Sequence, residues 1–285
     1  MTAAAIMLVM GLGHLALSAR SLATGHAADE APAADASRTP RIALRGADWA
    51  WAGAAWVIAA VALVLSTGLP WASAVVALAV SAVATALLAA RARLAAISGF
   101  VLTAAAIALA VLLDGSGIDA DAPLARALDG SVHADALAPT VVVVAAAALL
   151  FLGPTSNALV RAVVGAARRT DEPSDAPPRP SAAWRVLRRD KELAVVRKDE
   201  PEAAASGFRG GRVVGPLERV LVFASLLAGM PVVIAGLVAA KGVVRFPEIS
   251  ADRSGGTKAE EFLVGTLCSF LLASLAVLTV VARPQ

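Results

Sequence analysis

The sequence predicts an all-α, polytopic helical membrane protein with about seven transmembrane helices and a flexible cytoplasmic linker. The first observation is composition, since 58% of the 285 residues are hydrophobic and 16% are charged, whereas soluble domains carry about a quarter charged residues. The second is that the apolar residues form long runs, which is typical of membrane spans. The third is that Ala, Val and Leu dominate these runs without a period of two, which favours helices over a β-barrel.

Charge and aromatic residues agree with this class. The net charge is +3, and the basic residues cluster beside the apolar runs, where cytoplasmic retention explains them without a nucleic-acid partner. The predicted surroundings are therefore the lipid bilayer. The single cysteine, Cys268, lies in an apolar run and is expected to pack as a small hydrophobic residue. Four tryptophans lie at or near proposed span ends, where indole rings favour the interface: Trp49, Trp51, Trp56 and Trp71.

Residues 1–20 are predicted to form an N-terminal transmembrane helix. No Lys or Arg precedes the apolar run and Arg20 follows it, a charge order that favours a retained span with its N-terminus outside. Cleavage near Ala19 is the alternative. His14 lies within the run and is expected to pack between helices rather than to carry protons. Residues 21–48, rich in Ala, Asp, Pro and Ser, are predicted to form a disordered loop.

Residues 49–167 are predicted to form a four-helix transmembrane region. Three spans cover residues 49–65, 71–90 and 94–113, and the fourth is kinked at Pro154, which removes a backbone donor. Asn157 is expected to satisfy the carbonyl that this kink frees. The acidic segment 114–138 is predicted to be an outer loop. Its Asp119 and Asp121 have the spacing of a calcium loop, but the further oxygen ligands are missing, so no metal site is predicted.

Residues 168–210 are predicted to form a basic, proline-rich cytoplasmic linker. Within it, residues 181–196 mix Trp184 and aliphatic residues with Arg and Lys. Two interpretations are equally favoured: a short surface helix on anionic headgroups and a solvated arm.

Residues 211–285 are predicted to form a two-helix membrane module, with spans at 216–240 and Thr257–Val281 joined by a charged link. The cations at the end of the first span are expected to face the acidic residues that open the second, as the helix dipoles favour. These charges are the candidate functional or structural residues: Glu218, Arg219, Lys241, Arg245, Glu248, Glu260 and Glu261.

The basic residues also predict orientation. Seven spans, with the N-terminus outside and the C-terminus inside, satisfy every loop except residues 241–258, which hold four basic residues against two acids and would lie outside. In the favoured interpretation residues 216–240 span the bilayer and the link is neutralised locally. In the alternative, the sequence Gly229-Met230-Pro231 is the tip of a re-entrant hairpin, and both flanks stay inside.

Three motifs of the last quarter of the chain resemble an uncharacterised family of bacterial integral membrane proteins. They are Gly211-Arg-Val-Val-Gly-Pro-Leu-Glu-Arg219, Ala239-Ala-Lys-Gly-Val-Val-Arg-Phe-Pro-Glu248 and Glu260-Glu-Phe-Leu-Val-Gly-Thr-Leu-Cys-Ser269. Gly242 and Phe262 replace the usual serine and tyrosine of that pattern. The resemblance implies a two-helix membrane module in a bacterial inner membrane and implies no reaction.

The sequence favours a non-enzymatic membrane component or regulator that acts through its charged C-terminal hairpin. No catalytic residue, cofactor site or metal site is predicted, because the three histidines are scattered and no nucleophile set can be assembled. A small transporter or channel that uses Lys241, Arg245, Glu260 and Glu261 is the alternative, and a membrane-embedded enzyme is the least favoured class. The expected location is the bacterial cytoplasmic membrane, with a membrane-protein partner or a second copy.

Overall fold

A computed structural model of the protein describes residues 1–23, 46–90, 92–113, 118–119, 121–129, 139–168, 183–188, 191–197, 211–250 and 257–282. The protein is an all-α polytopic bundle, and six helical segments of the described chain are long and apolar enough to cross a membrane. The loop predicted over residues 21–48 falls mostly outside the described residues. The helices are α1 Thr2–Ala23, α2 Gly46–Thr67, α3 Trp71–Ala89, α4 Arg93–Leu113, α5 Pro123–Asp129, α6 Pro139–Leu150, α7 Ser156–Arg168, α8 Gly211–Leu227, α9 Pro231–Ser250 and α10 Thr257–Val281.

The predicted N-terminal helix, α1, lies at the centre of the bundle. Of its most apolar stretch 61% is buried, against 28% to 44% for the other spans. It packs on α2, α3, α4 and α6. Its last turn is tied to the start of α2, because Arg20 Nε lies 2.9 Å from Asp48 Oδ1 and its guanidinium lies 5.8 Å from the centroid of the Trp51 ring.

The contact between α1 and α2 depends on a glycine. Trp56 is buried in the core, so its predicted place at the membrane interface is wrong, whereas Trp51 and Trp71 are exposed. The indole of Trp56 lies over Gly13 so closely that a Cβ at position 13 would overlap its Nε1. Any side chain at position 13 must therefore displace the indole or the helix that carries it.

Replacing Gly13 by Ala is expected to lower the free energy of unfolding by about 1–3 kcal/mol, the usual cost of overpacking a core. The matched control is Gly53→Ala on α2, where an added Cβ meets nothing within 4 Å and helix propensity favours Ala. The measurement is the unfolding midpoint in detergent. Equal midpoints for the two variants would contradict this packing.

The outer segment around α5 is folded against the bundle. The amide of Asp119 donates to the carbonyl of Thr67 at 3.1 Å, and its carboxylate accepts the amide of Asp121 at 3.1 Å. Gly68, at φ 69°, provides the room, because a Cβ there would meet the Cβ of Asp119 at 2.8 Å. The Asp-x-Asp pair therefore closes a local turn against the α2–α3 connection.

The described part of the linker is a β-hairpin. Strand β1, Ala183–Arg188, pairs antiparallel with strand β2, Lys191–Arg197, with Ala183 opposite Arg197 and an irregularity after Val186. The surface-helix interpretation of residues 181–196 is therefore wrong, whereas the solvated arm stays a prediction. Trp184, Val186, Val195 and Val196 belong to residue types that are enriched in strands.

The predicted span over residues 216–240 is also wrong, because the chain breaks inside it. Helix α8 ends at Leu227 and α9 begins at Pro231. Gly229 has φ 67°, the amide of Met230 donates to the carbonyl of Ser225 at 2.8 Å, and the amide of Gly229 donates to the carbonyl of Leu226 at 3.1 Å. This is a Schellman C-cap followed by a proline that needs no amide partner.

Helices α8 and α9 form an antiparallel hairpin. Glu218 lies eleven positions before Gly229, and Lys241 lies twelve positions after it. At 1.5 Å per residue both are about 17 Å from the tip, and their charged groups meet at 2.8 Å. The two ends of the hairpin therefore lie at the same end of the bundle, as the re-entrant alternative requires.

This hairpin predicts that the basic link returns to the side of the linker. Single cysteines that replace Lys258 and Arg188, in a Cys268→Ser background, are expected to be labelled from the same face of sealed vesicles. A cysteine at Ser66, in the α2–α3 connection, should be labelled from the other face. The reason is that the basic residues of 241–258 then lie on the same side of the membrane as those of the other basic loops, as the preference of Lys and Arg for the cytoplasmic side requires. Labelling of positions 188 and 258 from opposite faces would contradict the prediction.

Candidate functional site

A break in the fifth span frees backbone groups in the middle of the bundle. Between α6 and α7 the segment Phe151–Thr155 forms a π-helical turn that contains Pro154, and Gly153 departs from helical geometry with φ −77° and ψ −106°. The amide of Ser156, which would bond the Leu152 carbonyl in a regular helix, is directed to the carbonyls of Gly153 and Phe151. The predicted kink at Pro154 is confirmed, and the Leu152 carbonyl loses its regular partner.

Arg219 of α8 supplies the replacement donor. Its Nε donates to the Leu152 carbonyl at 2.9 Å. One terminal nitrogen lies 3.5 Å from Ser269 Oγ of α10, and the other lies 3.4 Å from Asn157 Oδ1. Asn157 was expected to satisfy the freed carbonyl. That expectation is wrong, because Asn157 Oδ1 accepts a hydrogen bond from Arg219. The donor to the Leu152 carbonyl is Arg219 itself.

This guanidinium lies near the middle of the membrane-crossing helices. Ser269 is twelve residues from each end of α10, about 18 Å of helix, and Leu152 is close to the centre of the span Pro139–Ala167. Arg219 is only 2% exposed. Gly215, one turn before it, lies beside the guanidinium, since a Cβ there would be in ordinary van der Waals contact with it at 3.6 Å. A charged group this deep is costly and marks a functional candidate.

The neighbouring residue, Glu218, forms a partly buried ion pair with Lys241. Lys241 Nζ donates to both carboxylate oxygens, at 2.8 and 2.9 Å, and lies 5.4 Å from the centroid of the Phe262 ring on α10. Glu218 is 9% exposed. The predicted pairing of Lys241 with the acids that open α10 is therefore wrong, since its carboxylate partner comes from α8. The polar centre, defined as Glu218, Arg219, Lys241, Asn157 and Ser269, carries two positive charges and one negative.

The other candidate charges lie outside this centre. Arg245 on α9 and Glu260 on α10 are exposed, and Glu261 is half-buried. Glu248 lies in α9, and its side chain is outside the part of the structure that is described. The structure thus brings Glu218, Arg219 and Lys241 together and leaves the remaining four at the helix ends.

A second polar contact holds the π-helical turn from its other side. His14 Nδ1 lies 3.1 Å from Thr155 Oγ1, which itself donates to the Met10 carbonyl at 3.2 Å. Because that hydroxyl has one proton, His14 donates from Nδ1 and accepts from Thr85 Oγ1, which lies 3.5 Å from Nε2. The prediction that His14 packs between helices is confirmed, and both its nitrogens have partners.

The small residues of α10 and α9 are used differently. Gly265, Ser269 and Ala273 face the bundle: Gly265 lies against Val160 and Val164 of α7, and Ser269 and Ala273 are buried. Thr266, beside them, has a buried hydroxyl without a hydrogen-bond partner among the described residues. Gly236 and Ala240 of α9, also one turn apart, are exposed, and nothing lies within 4 Å of a Cβ at position 236.

The three motifs that carry the sequence resemblance meet in the polar centre. Glu218 of the first binds Lys241 of the second, and Arg219 of the first reaches Ser269 of the third. The described residues contain no group of three or more His, Cys, Asp or Glu side chains that could hold a metal ion. Comparisons with protein-family models, with curated proteins and with solved structures found no match.

Proposed function

We propose that this chain is a non-enzymatic component of a bacterial cytoplasmic membrane and that it acts as a docking subunit through the hairpin of α8 and α9. In this proposal the polar centre anchors the hairpin to the bundle, and the outer face of α9 receives the transmembrane helix of another subunit. The resemblance to bacterial integral membrane proteins supports the location, and the arrangement of α9 supports the activity.

The observation that carries the proposal is the exposed small-residue row of Gly236 and Ala240. Such rows let two helix backbones approach closely in lipid. The equivalent row on α10 is filled by α7 and α8, whereas the row on α9 is open among the described residues. Helix α9 packs on α8 and, near Lys241, on α10, so its remaining surface is free to bind a helix.

The experiment places a photoreactive amino acid at position 236 and irradiates intact membranes. We expect an adduct of defined mass, either two copies of this chain or one copy plus a partner. We also expect the adduct to disappear when Ala240 is replaced by Ile, because the larger side chain closes the row. The matched control is position 101 on α4, where Val101 is also exposed. Equal adducts at positions 236 and 101, or an adduct that tolerates Ala240→Ile, would overturn the proposal.

A second candidate function is transport of a small anion, and the polar centre favours it. The centre holds two cations and one carboxylate at mid-span beside a broken helix, and substrate sites of secondary transporters are built at such breaks. The original candidates Arg245, Glu260 and Glu261 would then lie at the entrance. Flux of a labelled anion into vesicles that contain the purified protein, compared with the Arg219→Leu protein, tests this function. Equal flux in both preparations would contradict it.

A further inference from the structure

A groove with a volume of about 640 Å³ runs along the surface of the bundle between α1, α3 and α4. None of the residues that line the groove belongs to α8, α9 or α10. The floor of the groove is defined by the four alanines among its twelve lining residues, Ala72 on α3 and Ala105, Ala106 and Ala110 on α4. The volume is typical of a small-molecule site.

The groove is open to lipid and has the depth of one leaflet. Leu109 and Leu113, which line it, are exposed. Along α4 the lining runs from Leu102 to Leu113, which is eleven residues or about 16 Å of helix. Half of the bilayer core is about 15 Å thick. The groove therefore extends from one membrane interface to about the midplane.

The two ends of the groove differ in chemistry. At the end where α1 and α3 begin, Thr2 Oγ1 donates to Ser73 Oγ at 2.9 Å, and these hydroxyls are the polar side chains of the lining. Trp71, next to Ala72, is exposed at this end, as indole rings are at the headgroup level. Toward the midplane the lining is aliphatic, with Ile6, Val80 and Leu102.

We propose that this groove is a binding site for one acyl chain of a membrane phospholipid, with the glycerol ester end at Thr2 and Ser73. An acyl chain has the required shape, since it is apolar along its length, about one leaflet long and polar at one end. Ser73 Oγ accepts from Thr2, so the hydroxyl proton of Ser73 can be donated to an ester carbonyl, and the alanine floor accepts the methylene chain. The site is independent of the docking function of α9.

The experiment is native mass spectrometry of the purified protein during stepwise removal of lipid with detergent. We expect one phospholipid to remain bound after the others have left. Replacing Ala106 by Phe fills the floor of the groove and is expected to lower the occupancy of this last lipid at least tenfold. The control is Val83→Phe on α3, an exposed position outside the lining, which should retain the lipid.

Two further results test the assignment. Replacing Ser73 by Ala is expected to weaken retention of a diacyl lipid while leaving the unfolding midpoint of the lipid-free protein within about 1–2 °C. In a protein that keeps Trp71 as its single tryptophan, the fluorescence of Trp71 should be quenched by a lipid brominated in its acyl chain. The proposal is overturned if lipid leaves the native protein and the Ala106→Phe protein in parallel, or if Val83→Phe loses it equally.

Discussion

Replacing Arg219 by Leu is expected to destabilise the protein by about 2–4 kcal/mol. The change removes the donor of the Leu152 carbonyl, and an unsatisfied carbonyl at this depth costs about 1–3 kcal/mol. It also leaves Asn157 and Ser269 without the guanidinium. Removal of a buried charge offsets part of this loss. The measurement is the free energy of unfolding in mixed detergent micelles.

Two variants separate the shape of the guanidinium from its charge. Arg219→Lys keeps the charge but loses the planar fork that reaches three oxygens, so it should be at least as unstable as Arg219→Leu. Arg245→Leu, on the exposed part of α9, is the matched control and should change stability by less than about 1 kcal/mol. A fully stable Arg219→Lys protein would show that charge alone is needed.

The contribution of Arg219 to the free energy of unfolding should depend on the helix break at Pro154. Replacing Pro154 by Ala restores an amide donor and lets the helix return to regular bonding, in which the amide of Ser156 serves the Leu152 carbonyl. In that background Arg219→Leu should cost about 1–2 kcal/mol less than in the native chain. A double-mutant cycle measures this coupling. Strictly additive costs would mean that Arg219 does not compensate for the proline.

Neutralising one partner of the Glu218–Lys241 pair is expected to cost about 3–5 kcal/mol, and neutralising both should recover most of it. Glu218→Gln leaves the ammonium of Lys241 beside an apolar helix, and Lys241→Met leaves a carboxylate that is 9% exposed. Breaking a buried pair leaves an uncompensated charge, whereas replacing both members removes it. The readouts are the unfolding free energy and the accessibility of a cysteine at position 236.

The control for this cycle is Glu260→Gln combined with Lys241→Met. Glu260 is exposed, so the two changes should add without coupling. A coupling energy above about 1 kcal/mol between positions 241 and 260, with none between 241 and 218, would contradict the observed pairing and restore the pairing that the sequence favoured.

The polar contacts show why the sequence could identify the candidate charged residues but could not identify their hydrogen-bond and ion-pair partners. Lys241 lies at the carboxyl end of the first predicted span, and Glu260 and Glu261 open the second, so helix-end electrostatics favoured pairing between them. The hairpin turns Lys241 back toward Glu218, twenty-three positions earlier. Arg219 and the Leu152 carbonyl are sixty-seven positions apart, and no local pattern joins them. The kink at Pro154 was predictable because proline acts on its own backbone.

The sequence allowed two interpretations of residues 216–240, a continuous span and a hairpin broken near Gly229, and it did not decide between them. Residues 216–240 are apolar and long enough to cross a bilayer, and a Gly-Met-Pro segment is tolerated inside many membrane helices. The Schellman bonds at Ser225 and Leu226 close one helix before the other starts, and the Glu218–Lys241 ion pair, about 17 Å from the tip, holds the two arms together. The balance between one span and a hairpin is therefore set by a contact between side chains distant in sequence.

By itself, the sequence determined that this protein is a helical bundle in lipid, where its main spans lie and where its fifth span bends. Each of these features follows from local physics: apolar length against bilayer thickness, and a missing proline amide. Only the tertiary structure decided which oxygens accept hydrogen bonds from Arg219 and which carboxylate pairs with Lys241. It also decided that Trp56 packs in the core over Gly13 and that alanines line a groove as deep as one leaflet. These depend on how helices approach one another, and apolar runs of similar composition leave that choice to packing between them.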